Sequence, residues 1–185
     1  MSDDNRCRLY LITPPKFEPR VFADELKRAL DGGDVACLQL RLKDVSDTDI
    51  LRAAEVLMPI AQKRDVAFII NDRPDIAHMI RADGVHVGQD DLRPADVRRV
   101  LLPPPAIVGL STHNEAQARD ACAQPISYLA IGPVFATTSK AQPDPIVGLD
   151  GVRMAAAVAA PLALPVVAIG GITLERAPSV IAAGA

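Results

Sequence analysis

The chain has 185 residues, of which 49% are hydrophobic, and it carries a formal net charge of −3. This length and composition favour one domain with a substantial core. The acidic balance, together with 3% aromatic residues and no tryptophan, argues against a nucleic-acid partner, which would need a basic field or a stacking platform.

Three cysteines, Cys7, Cys37 and Cys122, are scattered without a CxxC pair. Each lies in or beside an apolar run, so we expect buried free thiols, as in a reducing cytosol. The acidic, polar first residues carry no secretory signal. The uncharged stretch from Met154 to Ile172 approaches spanning length, but two prolines interrupt it. We therefore predict a cytoplasmic protein with no membrane partner.

Short apolar runs alternate with helical patterns along the whole chain. The predicted strands are Arg8–Thr13, Val35–Leu42, Ala67–Asn71, Gly84–Val87, Ile107–Leu110, Tyr128–Val134 and Val166–Ile169. The predicted helices are Val21–Leu30, Asp47–Lys63 with a kink at Pro59, Pro74–Arg81, Ala95–Leu101, Glu115–Ala123, Leu149–Ala159 and one that begins near Leu174. Such alternation predicts parallel strands joined by right-handed helical crossovers.

A repeat of about 20 to 25 residues with short loops favours an α/β fold of the TIM (β/α)8 barrel type over an open sheet. A barrel of this type needs an eighth strand, and the sequence stops at Ala185, where the seventh helix should lead into it. We therefore predict a single (β/α) barrel domain over residues 1–185 that is C-terminally incomplete, with the eighth βα unit missing from this sequence.

Polar residues or glycines follow six of the predicted strands. These clusters are Gln39 to Lys43, Asn71-Asp72, Gly88 to Asp91, Ser111 to His113, Thr137 to Lys140, and Gly170-Gly171. Because the carboxyl ends of parallel barrel strands meet on one rim, we expect the clusters to form an active site there.

Gln39, Arg41 and Lys43 occupy alternate positions, so in a strand all three project to one face. One interpretation is an amphipathic strand with a solvated face, which would be preferred in an antiparallel protein. In a βα series, helices cover the outer face and the three side chains point into the barrel mouth. Two cations there predict an anionic ligand such as phosphate or diphosphate.

Asp72 and Asp91 follow neighbouring predicted strands. Taken singly, each is better explained as a helix cap, since each precedes a proline that opens a helix. Taken together beside cations, two carboxylates suit Mg²⁺, which completes its coordination with phosphate and water. Spacing alone leaves Asp90 as a rival of Asp91.

The connection from Ala136 to Val147 is long for this fold and carries hydroxyl groups and Lys140. It is either a mobile polar loop or a lid over a phosphate. Gly170-Gly171 would let a phosphate approach backbone N–H groups at the start of the following helix. His113 lies at the same rim, where a site role is a minority interpretation.

Six motifs together resemble the thiamine-phosphate synthase family. They are QLRLK, IINDRPD, ADGVHVGQDD, GLSTH, IGPVFATTSK and VVAIGGI, which occur in this order over nearly the whole chain. The resemblance implies a Mg²⁺-dependent transferase of thiamine biosynthesis that joins hydroxymethylpyrimidine diphosphate to hydroxyethylthiazole phosphate. Its products are thiamine phosphate and diphosphate, and its partners are small molecules. A homo-oligomer is left open.

The resemblance also implies roles for individual residues. Those implied for the pyrimidine diphosphate are Gln39, Arg41, Lys43, Asn71, Ser111 and Lys140, of which Arg41, Lys43, Ser111 and Lys140 would be catalytic. Those implied for the thiazole phosphate are Thr137, Thr138, Ser139 and Gly171. The implied Mg²⁺ ligands are Asp72 and Asp91. In the family, diphosphate departs first and leaves a pyrimidine-stabilised cation that the thiazole nitrogen captures, so no protein nucleophile is required.

Two departures from the family pattern stand out. Leu42 replaces an acidic residue, and the missing eighth strand would carry a serine-containing phosphate loop. Three alternatives remain. The first is a thiazole tautomerase of the same fold with His113 as its base, and the second is a non-catalytic phosphate-binding regulatory homologue. The third is a phosphosugar lyase with Lys43 as a Schiff-base lysine.

Overall fold

The structure is a computed structural model that describes residues 6–101, 106–137 and 144–185. The chain divides into two compact units, each described by itself below. The first unit consists of Met1–His86 and Arg99–Ile107, and the second of Val87–Arg98 and Val108–Ala185.

Strands and helices alternate strictly along the described residues. The strands are β1 Leu9–Ile12, β2 Val35–Leu40, β3 Ala67–Asn71, β4 Gly84–Val87, β5 Ile107–Thr112, β6 Tyr128–Ile131 and β7 Val166–Ala168. The helices are α1 Pro19–Asp31, α2 Asp47–Gln62, α3 Pro74–Ile80, α4 Pro94–Val100, α5 Glu115–Cys122, α6 Gly148–Ala159 and α7 Ala177–Ala182, with a 3₁₀ turn at Ala160–Leu162.

The strands form a sheet in the order β1-β2-β3-β4-β5-β6-β7. The described registers are parallel, for example Leu38 opposite Phe68 between β2 and β3, and Leu110 opposite Leu129 between β5 and β6. Sequential parallel strands joined by helices are the pattern of a (β/α)8 barrel. The predicted fold class is therefore confirmed, while the prediction of a single incomplete domain stays a prediction.

Each unit buries apolar side chains from both faces of its strands. In the first unit, the adjacent residues Ile69 and Ile70 of β3 are both buried, as is Leu57 of α2. In the second unit, the adjacent residues Leu129 and Ala130 of β6 are both buried. Burial on both faces explains why these strands appear in the sequence as continuous apolar runs.

The second helix has a well-defined start. Ser46 and Asp49 form a capping box, in which each side chain accepts a hydrogen bond from the backbone of the other residue. Pro59 lies inside α2, which nevertheless continues to Gln62. The predicted bounds of this helix, Asp47–Lys63, agree with the structure to within one residue.

The second strand ends earlier than predicted. It stops at Leu40, and the backbone N–H of Arg41 donates to Thr13 Oγ1 at 3.0 Å. The N–H of Lys43 donates to the carbonyl of Pro15 at 3.2 Å. Arg41 and Lys43 therefore follow the strand instead of lying on it, so the prediction of one shared strand face for Gln39, Arg41 and Lys43 is wrong.

Prolines and turns shorten two other elements. Strand β6 ends at Ile131 because Gly132-Pro133 follows, and proline has no N–H to donate to a ladder. Helix α7 begins at Ala177 instead of near Leu174, since a turn closed by Arg176 N–H and the Thr173 carbonyl precedes it. The glycine pair Gly170-Gly171 is thus separated from the helix that was expected to follow it directly.

All three cysteines are free, but the expectation that all are buried is wrong for Cys7, which is exposed. Cys37 is half-buried, and burial raises the pKa of its thiol to about 11. Burial also raises the pKa of Cys122. Within the described residues, no helix combines the length and apolar character that a bilayer crossing requires.

Candidate active site

A compact polar cluster follows β2 and β3 in the first unit. Lys43 Nζ donates to Asp72 Oδ2 at 2.8 Å, and Asn71 Nδ2 donates to the same oxygen at 2.5 Å. The Asp72 side chain is 28% exposed, and that of Lys43 is 42% exposed. The cluster is therefore preorganised by the fold yet open to solvent on the side where a ligand could bind.

The backbone at Asp72 explains why its carboxylate turns toward Lys43. Asp72 has a φ of 61°, in the left-handed region that non-glycine residues seldom adopt. Its N–H donates to the carbonyl of His86 at 2.8 Å, which fixes the turn after β3. Helix α3 is capped at Arg73 without a side-chain hydrogen bond. Asp72 is thus not a helix cap, and the alternative that sequence reasoning favoured for it is wrong.

Gln39 and Arg41 belong to the same neighbourhood but differ in burial. Gln39 is 2% exposed, and its Nε2 donates to the hydroxyl of Tyr10 at 3.2 Å. Arg41 is half-buried and lies close enough to His86 to affect its titration. Gln39 therefore lies in the interior of the unit, whereas Arg41 is only half-buried.

His86 is a buried histidine held in its neutral form. Burial lowers its pKa to about 4, an effect that nearby Asp72 opposes and the Arg41 guanidinium reinforces. A structural role fits this environment, because a neutral imidazole packs at lower free-energy cost than a buried charge.

In the second unit, the turn after β4 is organised by Asp91. Its Oδ2 accepts a hydrogen bond from the N–H of Gly88 at 2.8 Å. The first turn of α4 instead starts from the carbonyl of Arg93, which accepts from Val97 N–H. The described contact of Asp91 is therefore within its own turn, and Asp90 is exposed beside it.

Gln89 connects this turn to the end of β5. Its Nε2 donates to the carbonyl of Ser111 at 2.6 Å. Ser111 itself is half-buried near the end of the strand, which extends through Thr112. Sequence reasoning did not single out Gln89, although its position between Gly88 and Asp90 in the polar cluster was a usable signal.

His113 is anchored on both ring nitrogens. Nδ1 lies 2.6 Å from the carbonyl of Gly132, so it donates there, and Nε2 lies 3.5 Å from Asp144 Oδ2. The Gly132 carbonyl precedes the connection that leads to α6, and Asp144 lies near its end. This arrangement gives no support to His113 as the base of a tautomerase.

The segment after β7 contains two successive glycines with positive φ, 101° for Gly170 and 64° for Gly171. A Cβ on Gly171 would lie 2.4 Å from the carbonyl oxygen of Ala136. The Gly171 carbonyl accepts from Arg176 Nη1 at 2.8 Å, and the Arg176 guanidinium lies 4.6 Å from the centre of the Phe135 ring. Arg176 is a second residue that sequence reasoning missed, since its contact depends on the turn before α7.

The hydroxyl residues and the lysine predicted for the connection after β6 are described only in part. Thr137 is half-buried, whereas Thr138, Ser139 and Lys140 lie outside the described residues. Asp72 belongs to the first unit and Asp91 to the second.

The donor chemistry at Asp72 fits a hard divalent cation. Both described hydrogen bonds of its carboxylate end on Oδ2, and carboxylate oxygens are preferred by Mg²⁺. Among residues 6–101, 106–137 and 144–185, no group of three His, Cys, Asp or Glu could hold a metal. Mg²⁺ does not need such a cage, because it is commonly bound through one or two carboxylates plus phosphate oxygens.

The sequential parallel βα units define the class of (β/α)8-barrel proteins. The model of the family described as thiamine monophosphate synthase matches residues 9–185. The chain belongs to this family.

Individual relatives agree with the family match. The chain is 50% identical over 183 residues to a thiamine-phosphate synthase of Rhodospirillum centenum, covering 97% of this chain and 84% of the relative. It is 42% identical over 185 residues to one of Chlorobium phaeovibrioides, covering 100% and 85%. A solved thiamine phosphate pyrophosphorylase from Pyrococcus furiosus superposes with a TM-score of 0.80 at 29% identity, covering 96% of this chain and 81% of that one.

Proposed function

We propose that the chain joins hydroxymethylpyrimidine diphosphate to hydroxyethylthiazole phosphate, forming thiamine phosphate and releasing diphosphate. Family membership over residues 9–185 supports this reaction. The observation that carries it is the Lys43–Asp72–Asn71 cluster, which combines an ammonium, a carboxylate and an amide after β2 and β3. These are the groups that a metal-bound diphosphate requires.

The reaction needs stabilisation of a leaving group more than a protein nucleophile. Departure of diphosphate concentrates negative charge on its oxygens, and preorganised cations lower the barrier to that step. Lys43, bonded to Asp72, supplies one such cation, and Arg41, two residues before it in the chain, supplies a second. Since Lys43 is already held by Asp72, little reorganisation is needed when the substrate binds.

Mg²⁺ is the proposed cofactor, with Asp72 and Asp91 as its protein ligands; when bound it would neutralise charge on the departing diphosphate. Asp72 is proposed as a Mg²⁺ ligand because its carboxylate is accessible to solvent. Asp91 is proposed as the second ligand because of the family motifs. Asn71 orients the Asp72 carboxylate by donating to Oδ2.

The remaining roles are proposed from the motifs. Gln39 and Asn71 would act on the pyrimidine diphosphate, with Ser111 and Lys140 as catalytic contacts to it. Gly171 would bind the thiazole phosphate together with Thr137, Thr138 and Ser139. The backbone conformation of Gly171 supports its role: its φ is 64°, and a glycine there has no side chain of its own between its backbone N–H and a phosphate. A cytoplasmic location belongs to the same proposal and is supported by the three free thiols.

The reaction is tested by incubating the purified chain with both substrates and Mg²⁺ and measuring thiamine phosphate by chromatography. We expect product from the wild-type chain. We expect at least a roughly 100-fold lower kcat/KM for Lys43→Met, because a cation on the departing diphosphate is removed. The matched control is Lys27→Met, whose ammonium pairs with Asp24 on the exposed face of α1.

Absence of thiamine phosphate from the folded wild-type chain would overturn the proposed reaction. Equal activity of the Lys43→Met and Lys27→Met variants would overturn the role of the Lys43 cluster while leaving the reaction in place. Asp72→Asn tests the metal assignment separately: unchanged activity and unchanged Mg²⁺ dependence would contradict it.

A further inference from the structure

Among the described residues, the carbonyl groups of Gly170 and Gly171 have hydrogen-bond donors and their N–H groups have no described acceptor. The Gly170 carbonyl accepts from the N–H of Phe135 at 3.0 Å, and the Gly171 carbonyl accepts from Arg176. With both carbonyls held, the two successive N–H groups remain available as donors to a ligand. Paired backbone donors without acceptors favour an anion.

Arg176 brings a positive charge to the same segment. Its guanidinium is fixed in two ways, by the hydrogen bond from Nη1 to the Gly171 carbonyl and by its position over the Phe135 ring. A guanidinium has five N–H donors, and the described hydrogen bond uses one of them. The other donors of this planar group are therefore available beside Gly171.

The charge of Arg176 is not neutralised within the described part of the chain. No carboxylate there forms an ion pair with it, whereas Arg153 on α6 pairs with Asp150 at 2.7 Å. A fixed cation without an acidic partner, next to two backbone N–H donors, is the arrangement that recognises a phosphate group.

We infer that Arg176 binds the phosphate monoester of the thiazole substrate, as a recognition residue that the motifs did not indicate. This inference rests on the proposed function. The Phe135 ring holds the guanidinium plane, and the bond to Gly171 ties the position of the cation to that of the glycine N–H groups. The side chain therefore recognises the phosphate group and leaves the pyrimidine substrate unaffected.

The test compares Arg176→Gln, Arg176→Lys and the control Arg153→Gln, another exposed arginine of the second unit. KM is measured for each substrate with the other saturating, and binding of the thiazole phosphate is titrated calorimetrically as a readout that needs no turnover. For Arg176→Gln we expect a roughly 10- to 100-fold higher KM and dissociation constant for the thiazole phosphate, the range expected on losing a charged hydrogen bond.

The same variant should leave KM for the pyrimidine diphosphate unchanged. Arg176→Lys should lie between the glutamine variant and the wild type, because it keeps the charge but loses the planar contact with Phe135. Arg153→Gln should behave as the wild type.

Equal changes in both KM values, or an unchanged affinity of Arg176→Gln for the thiazole phosphate, would overturn the inference. Failure of the wild-type chain to form thiamine phosphate would instead count against the proposed function. The two failures are distinguishable. The inference about Arg176 is judged by the affinity and KM of the variants relative to the wild type, whereas the proposed function is judged by the activity of the wild type itself.

Discussion

Asp72 shows how one residue acquires a role from its surroundings. In the sequence it precedes a proline that opens a helix, which is typical of a cap. In the structure its left-handed backbone turns the carboxylate toward Lys43 and Asn71. Its place after a strand was predictable from the sequence, but its partners were not, because Lys43 is 29 residues away.

The three cysteines are a second example at the residue scale, because they differ in their exposure to solvent. Cys7 is exposed, while burial raises the pKa of Cys37 to about 11. At pH 8 only roughly one in a thousand Cys37 thiols would be thiolate, the form that reacts. We expect a disulfide reagent such as dithionitrobenzoate to label one thiol rapidly and Cys37 slowly. Cys7→Ser should abolish the rapid phase, and a rapid phase that survives this change would contradict the assigned exposure.

At the scale of elements, the start of α5 depends on a single side chain. Asn114 caps α5, and its Oδ1 accepts from the N–H of Gln117 at 3.0 Å. Asn114→Ala should lower the free energy of unfolding by about 1 kcal/mol, because this N–H loses its acceptor. Asn114→Asp keeps the oxygen and should retain most of that stability. Urea unfolding measures both variants, and equal losses in both would argue against the cap.

The ends of strands were difficult to predict from the local pattern. The apolar period continues through Leu42, yet β2 stops at Leu40 because the Arg41 N–H bonds a side chain of the segment after β1. The glycine pair after β7 was placed correctly, but the helix expected directly after it was not, since five residues separate Gly171 from α7. A strand end is determined by hydrogen bonds to distant residues, which a local pattern does not contain.

At the scale of the whole chain, ligand binding should appear as added stability. A ligand that binds only the folded state at 100 times its Kd stabilises that state by about 2.7 kcal/mol. We expect diphosphate to raise the midpoint of thermal unfolding more with Mg²⁺ than without it. Asp72→Asn should remove this Mg²⁺-dependent part by deleting a ligand charge.

The matched control is Asp24→Asn, in which an exposed carboxylate of α1 that pairs with Lys27 is neutralised. It should retain the Mg²⁺-dependent increase in the midpoint. A full increase in the Asp72→Asn variant would contradict the proposed metal ligand, whatever its catalytic activity.

Local sequence patterns were sufficient to predict that seven strands alternate with helices and which residue types follow each strand. Hydrophobic period and turn chemistry act over a few residues, and the sequence contains them directly. The folded chain was needed to show that Gln39 is buried against Tyr10, that Asp72 is held by Lys43 and that Arg176 reaches Gly171. These contacts depend on hydrogen-bond partners and on turn geometry that emerge only when separate segments pack together.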